Sequence, residues 1–173
     1  KEFRFKVSRQ GDPVDQKKVL YANAFAIYAL TQYARVYGVK EAGDTALACF
    51  RSIDASAHDA KFGGYFREGD PPWLTPGAAK ETNTHLHLME AFSSLYAYGK
   101  DPVVKQRLEE LVTLFVTKII QKEGYARKDF LADWTPFGEP VVSYGHDLET
   151  SWLLVEAAAS LLRPSDPSFS KAA

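Results

Sequence analysis

The stretch LHLMEAFSSLYAYG (residues 86–99) is a helical pattern closed by Tyr98-Gly99, and it has a counterpart 61 positions earlier. That counterpart is FAIYALTQYARVYG (25–38), closed by Tyr37-Gly38. A glycine at such a point suits the left-handed residue that ends many helices. Each stretch is followed by a second helical pattern. After the first comes 40–57, with Ala46, Leu47, Phe50 and Ile53 at helical spacing. After the second comes DPVVKQRLEELVTLFVTKII (101–120), where Asp101 caps the start and Pro102 occupies the first turn. The connectors repeat as well. FRFKVSRQGDP (3–13), GGYFREGDPPW (63–73) and GYARKDFLADW (124–134) each read as a short strand or hairpin, with Phe5, Tyr65 and Tyr125 at intervals of sixty. A third helical pattern, HDLETSWLLVEAAASLL (146–162), follows the third connector.

The unit is therefore hairpin, helix, tight turn, helix, present about two and a half times. Repetition of helix pairs at this length predicts an all-α toroid in which inner helices line a cup and outer helices cover them. Inner helices are expected near 20–37, 82–98 and 146–162, and outer ones near 40–57 and 101–121. YANAFAIYAL and SWLLVEAAASLL have the all-round apolar character of inner helices, while VKQRLEELVTLF carries charge on one face. An open solenoid or an irregular bundle is the competing arrangement. Two and a half units cannot close a ring, and the tail RPSDPSFSKAA resembles the opening of a further outer helix. Residues 1–173 are thus read as a single partial domain, the central part of a longer chain.

Composition narrows the partners. The chain is 46% hydrophobic and 25% charged with a formal net charge of −1, and its basic residues form no stripe. Charge therefore argues against nucleic acid or an anionic membrane as partner. No apolar run approaches the length of a membrane span. The opening KEFRFKV, which alternates charges and aromatics, is not a signal peptide. A single cysteine, Cys49, excludes an internal disulfide and fits a reducing, cytoplasmic compartment. Its neighbours Ala46, Leu47 and Phe50 point to an inert buried thiol rather than a nucleophile.

The histidines carry the functional signal. His87 and His146 are 59 apart, so they fall at near-equivalent positions on consecutive inner helices and aim into one cup. His85 and His87 lie about 200° apart on a helix, so they cannot clip one metal, and no metal site is expected. His85 packs or hydrogen-bonds between helices; His58 is structural. His146 stands three residues before Glu149, whose carboxylate can hold and support the imidazolium. The helix N-terminus acts oppositely, and a histidine so balanced is suited to moving protons. A helix-start hydrogen-bonding role is equally compatible with that position. Asn83, four before His87, either shares a ligand with it or, with Thr82, caps the helix. Trp152 reads as core. Trp73 and Trp134 lie on proline-bordered loops, where they either stack on sugar faces at the cup rim or plug the helix ends.

NTHLHLMEAF (83–92) with SYGHDLETSWLLVEAA (143–158) closely resembles the cellobiose 2-epimerase branch of the N-acylglucosamine 2-epimerase family. LYANAFAIYAL (20–30) and GGYFRE (63–68) are similar to two further family segments, so the resemblance spans nearly the whole chain. The His146-Asp147-Leu148-Glu149 block after Tyr144-Gly145 is the discriminating part, because the acylglucosamine epimerases and aldose–ketose isomerases tend to have Pro-Gly-His there. The resemblance implies an (α/α)6 barrel, of which this chain would be under half. It also implies an isomerase that epimerises C2 of a reducing-end sugar through a cis-enediolate, without metal or organic cofactor. Carried over, His146 is one of two acid/base histidines and Glu149 its carboxylate partner. His87 and Asn83 contact the sugar, as does an aromatic at Tyr21. The family's second acid/base histidine and its enediolate-binding arginine match nothing here, so the chain alone is expected to be inactive. The acidic residues that commonly precede the family's NTHLHL segment are replaced by LTPGAAKE (74–81). The competing readings are an N-acylglucosamine 2-epimerase, a mannose isomerase, or a non-catalytic helical-repeat module that binds carbohydrate.

Overall fold

The computed structural model describes residues 3, 4, 6–15, 18–69 and 80–162. Five helices appear in the expected places: α1 (Leu20–Tyr37), α2 (Lys40–Ala57), α3 (Thr82–Gly99), α4 (Pro102–Leu114) and α5 (Tyr144–Leu162). The last turn of α4 widens into a π-helical segment, Phe115–Ile119. α3 packs between α1 and α5, with α2 behind α1 and α4 behind α3 and α5. The inner helices α1, α3 and α5 are thus side by side and the outer ones lie on one side only. This is part of an (α/α)6 barrel.

Local chemistry explains three of the helix ends. Gly38 takes the left-handed φ of 68° after α1. Asp101 accepts hydrogen bonds from the amides of Val103 and Val104, and Pro102 follows it, an arrangement that contributes about 1 kcal/mol. The expectation for Gly99 is corrected. It remains helical, and Lys100 takes the left-handed position at φ 51°, its amide donating to the Tyr96 carbonyl. The Lys100 ammonium lies 4.5 Å from the centre of the Tyr96 ring, a contact glycine would lack.

The core lies between the two helix layers, where Phe50 of α2 meets Phe92 of α3 edge to face at 4.9 Å. Tyr65 joins them, and Cys49 is fully buried, as an inert thiol would be. α3 buries residues around nearly its whole circumference because it has neighbours on both sides. α5 buries only Thr150, Leu153 and Ala157. Its opposite face exposes Leu148, Trp152 and Val155, so Trp152, 61% exposed, is outside the core formed by the described residues. Helical periodicity reports that a residue is on an apolar face, not whether a neighbour covers that face.

The strands differ from the expectation of local hairpins. Among the described residues, β1 (Lys6–Val7) and β2 (Pro13–Asp15) are the only strands that pair within one connector, the other local pairings being isolated bridges. β3 (Lys18–Val19), just before α1, pairs with β4 (Glu68–Gly69) beyond α2. β5 (Lys80–Glu81), just before α3, pairs with β6 (Asp129–Phe130) beyond α4. Each helix pair is thereby tied at its base. The connectors repeat with a different register too, since the bridges His58–Tyr65 and Ile120–Ala126 make Ala126, rather than Tyr125, the partner of Tyr65 in the repeat. Phe5, Trp73 and the tail 163–173 lie outside the described residues.

Candidate active site

Equal heights on neighbouring inner helices are separated by 62 residues. α1, α3 and α5 begin at Leu20, Thr82 and Tyr144. Two side-chain contacts follow the same offset: the Gln32 amide donates to Ser94 Oγ at 3.0 Å, and the rings of Phe25 and His87 lie 4.5 Å apart. The residue level with His87 on α5 is therefore Glu149. His146 sits one turn nearer the helix start, about 4.5 Å along the axis. This corrects the near-equivalence of His87 and His146 suggested by their 59-residue spacing.

His87 is the best-defined side chain of this face. Its ring is flanked by Phe25 and by Tyr21, whose centroid is 5.9 Å away. Its Nδ1 lies 3.1 Å from Glu90 Oε2, one turn along α3. Asn83, His87 and Glu90 are each half-buried at positions i, i+4 and i+7, so they share one face of α3. The structure thus brings together Tyr21, Asn83 and His87. Asn83 is not a cap, because α3 starts at Thr82 and Glu81 holds the N-cap position without a side-chain cap bond. Thr82 instead donates its hydroxyl to the Arg127 carbonyl.

His146 and Glu149 occupy the first two turns of α5, both half-buried. No hydrogen bond or ion pair joins them among the described residues. The carboxylate–imidazole pair expected there forms at the same spacing on α3 instead, between His87 and Glu90. Asp147, between them, accepts from the Ala126 amide at 2.8 Å and anchors the start of α5 to the third connector.

The other histidines are structural. His85 is fully buried on the opposite side of α3 from His87, as a rotation of 200° requires. Its Nδ1–H donates to the Glu81 carbonyl at 2.8 Å, and its Nε2 accepts from the Tyr65 amide at 2.9 Å. Burial pushes its pKa down to about 4, so it is neutral. His58 pairs with Glu110 at 2.9 Å behind the helices. Burial works to raise the Glu110 carboxyl, but the bonds from His58 and the Gly64 amide carry it below its ordinary value.

Trp134 does not fit the role of sugar platform. It is 5% exposed, and its indole packs on His85 at 5.0 Å and Phe130 at 5.3 Å. Its Nε1–H donates to the Phe62 carbonyl at 2.9 Å. No ring face is free for a ligand, so the plugging alternative holds. The sequence reading missed Lys80 beneath this indole. Its ammonium, fully buried, bonds Asp59 at 2.8 Å and the carbonyls of Gly63 and Ala132 at 2.6 Å. Burial lowers the Lys80 pKa against the pull of Asp59. Glu90 was missed as well, although its i+3 spacing from His87 repeats that of Glu149 from His146.

The class defined by this arrangement is an α/α-barrel segment whose inner wall carries an imidazole clasped between two aromatic rings and a carboxylate. Residues 2–172 match the N-acylglucosamine 2-epimerase (GlcNAc 2-epimerase) family, and the chain belongs to that family. It is 39% identical to the cellobiose 2-epimerase of Bacteroides fragilis over 163 residues, which are 88% of this chain and 41% of that one. The solved structure of cellobiose 2-epimerase from Spirochaeta thermophila is similar with a TM-score of 0.86 and 35% identity, over 96% of this chain and 43% of the other. A D-mannose isomerase from Thermobifida fusca is 26% identical over 92% of this chain and 42% of its own. The chain thus spans about two fifths of the curated relatives it matches. No helix among the described residues is long and apolar enough to cross a membrane.

Proposed function

We propose that this chain forms one wall of the active site of a sugar 2-epimerase. The substrate is the reducing glucose of a β-linked disaccharide, and the reaction interconverts cellobiose and glucosyl-mannose. In the opened sugar, the C2 proton is acidified by the neighbouring carbonyl. His146 transfers a proton at C2 on one face, and a second base on the other face completes the inversion through a cis-enediolate. Glu149 supports the imidazolium form of His146 once the sugar and the rest of the barrel bring the pair together. Tyr21, Asn83 and His87 hold the sugar. One base alone cannot invert the centre, so activity requires the part of the barrel that supplies the second base and the donors for the enediolate oxygens.

The observation that supports this reading is the meeting of Tyr21 with His87 across two inner helices, at 5.9 Å. Both are residues that the family resemblance assigns to the sugar. The similarity to a mannose isomerase supports a second reading, in which the same enediolate is protonated at C1 and gives a ketose. Product analysis separates the two: mannose at the reducing end for the first, fructose for the second.

The test is carried out on the whole protein in deuterated water. His146→Ala is expected to abolish both epimerisation and deuterium entry at C2. Glu149→Gln is expected to weaken both while the side-chain volume is kept. Deuterium entering C2 at the normal rate in the His146→Ala protein would refute the acid/base assignment.

A further inference from the structure

His87 differs from His85 in how its ring nitrogens are used. Both nitrogens of His85 are engaged by main-chain groups. His87 uses Nδ1 on the Glu90 carboxylate at 3.1 Å, and its Nε2 has no partner among the described residues. Nε2 is also not one of the fully enclosed polar atoms that lack a partner, so it is open to a ligand. The side chains of His87 and Glu90 are 11% and 18% exposed, which limits competition from water for their contact. Phe25, tilted 42° at 4.5 Å, and Tyr21 restrict rotation of the ring about its last torsion.

We infer that Glu90 is a positioning residue for His87, holding the imidazole with its proton on Nδ1 so that Nε2 is presented as a hydrogen-bond acceptor. The chemistry is one-directional. An ionised carboxylate only accepts hydrogen bonds, so the nitrogen facing it must carry the proton, and the other nitrogen of a neutral ring keeps its lone pair. The ligand group this selects is a hydroxyl that donates, one on the open-chain or ring form of a sugar. This last step rests on the reading of His87 as a sugar contact; the hold of Glu90 on the ring does not. The same His-x-x-Glu spacing on α5 leaves His146 without such a hold, so the two histidines are set up differently by their own helices.

The experiment labels the histidines of the full chain with nitrogen-15. Long-range proton–nitrogen correlations are recorded well above the ordinary titration range of histidine. The His87 signals are identified by their loss in His87→Gln. The expected pattern is a protonated Nδ1 and an unprotonated Nε2. Glu90→Gln introduces an amide that can itself donate to Nδ1, so the Nε2–H form should become populated. Glu90→Asp, which still only accepts, should keep the original pattern. A wild-type ring protonated on Nε2, or a pattern unmoved by Glu90→Gln in a folded chain, would overturn the inference. In the whole protein, Glu90→Gln is expected to raise KM about tenfold, the worth of one charge-assisted hydrogen bond, with a smaller change in kcat. A switched tautomer with unchanged KM would retire the sugar-contact reading of His87 and leave the action of Glu90 on the ring established.

Discussion

His85 makes the fold sensitive to acid in a way that can be isolated from the rest of the protein. Folded, its imidazole has a pKa of about 4; the ordinary value is 6.5. Between those pH values the unfolded chain binds a proton that the native state refuses. Native stability is therefore full above about pH 6.5 and declines as the pH falls toward 4. The slope from this group is about 1.4 kcal/mol per pH unit, which accumulates to roughly 3 kcal/mol across the window. His85→Gln removes the titration while its amide oxygen can still accept from the Tyr65 amide. At pH 8 this variant should be less stable than wild type by about 2 kcal/mol, because the ring contact with Trp134 is lost. Urea melts at intervals between pH 8 and pH 4 should then show the gap closing as pH falls, vanishing at about pH 5 and reversing in sign below it. Asp59 and Glu110 titrate below their ordinary values, so their acid sensitivity enters at lower pH and is common to both proteins. Parallel pH profiles for wild type and His85→Gln would show that the buried imidazole takes up its proton without cost, and the reasoning from burial would fail.

Trp134→Ala should lower stability by about 3–5 kcal/mol, as expected for a large buried side chain, without changing the affinity of the whole protein for sugar. Thermal melts and sugar titration check the two halves, and lost affinity in a folded variant would restore the stacking role. Gly64→Ala should destabilise by about 2 kcal/mol, since φ is +75° and the new Cβ would stand 2.6 Å from Trp134 Cζ2 and 2.8 Å from His85 Nε2. An unchanged melting temperature would contradict that close approach.

What could be read in advance follows the range of the interactions. The helices, their order and the Asp101 cap depend on residues within a turn or two, and periodicity carries that information. Strand partners do not, because Lys18 meets Gly69 only after two helices have packed. The tryptophans show the same limit. Trp152 lies on an apolar helical face that no described neighbour covers, whereas Trp134 lies on a loop that folds inward under φ +69°. Lys80 could not be recognised as buried, because its partners Asp59 and Gly63 stand 21 and 17 residues earlier in its own connector and Ala132 stands 52 residues later in the next. At the candidate site, Asn83, His87 and Tyr21 were legible through motif and register. The Glu90 contact was also within reach, since it needs only i+3 spacing.

The two ties β3–β4 and β5–β6 have a kinetic consequence. Each closes a loop of nearly fifty residues with a ladder only two residues long. Closing such a loop costs about 2 kcal/mol more in chain entropy than closing a four-residue hairpin, and so short a ladder cannot offset the difference by itself. The ladders therefore form late in folding, after the enclosed helices have packed and brought the strands within reach. Tension on the two outer ends of a tied unit would unzip its ladder bond by bond before it loads the helices. Amide exchange at these strands then reports when a helix pair has closed.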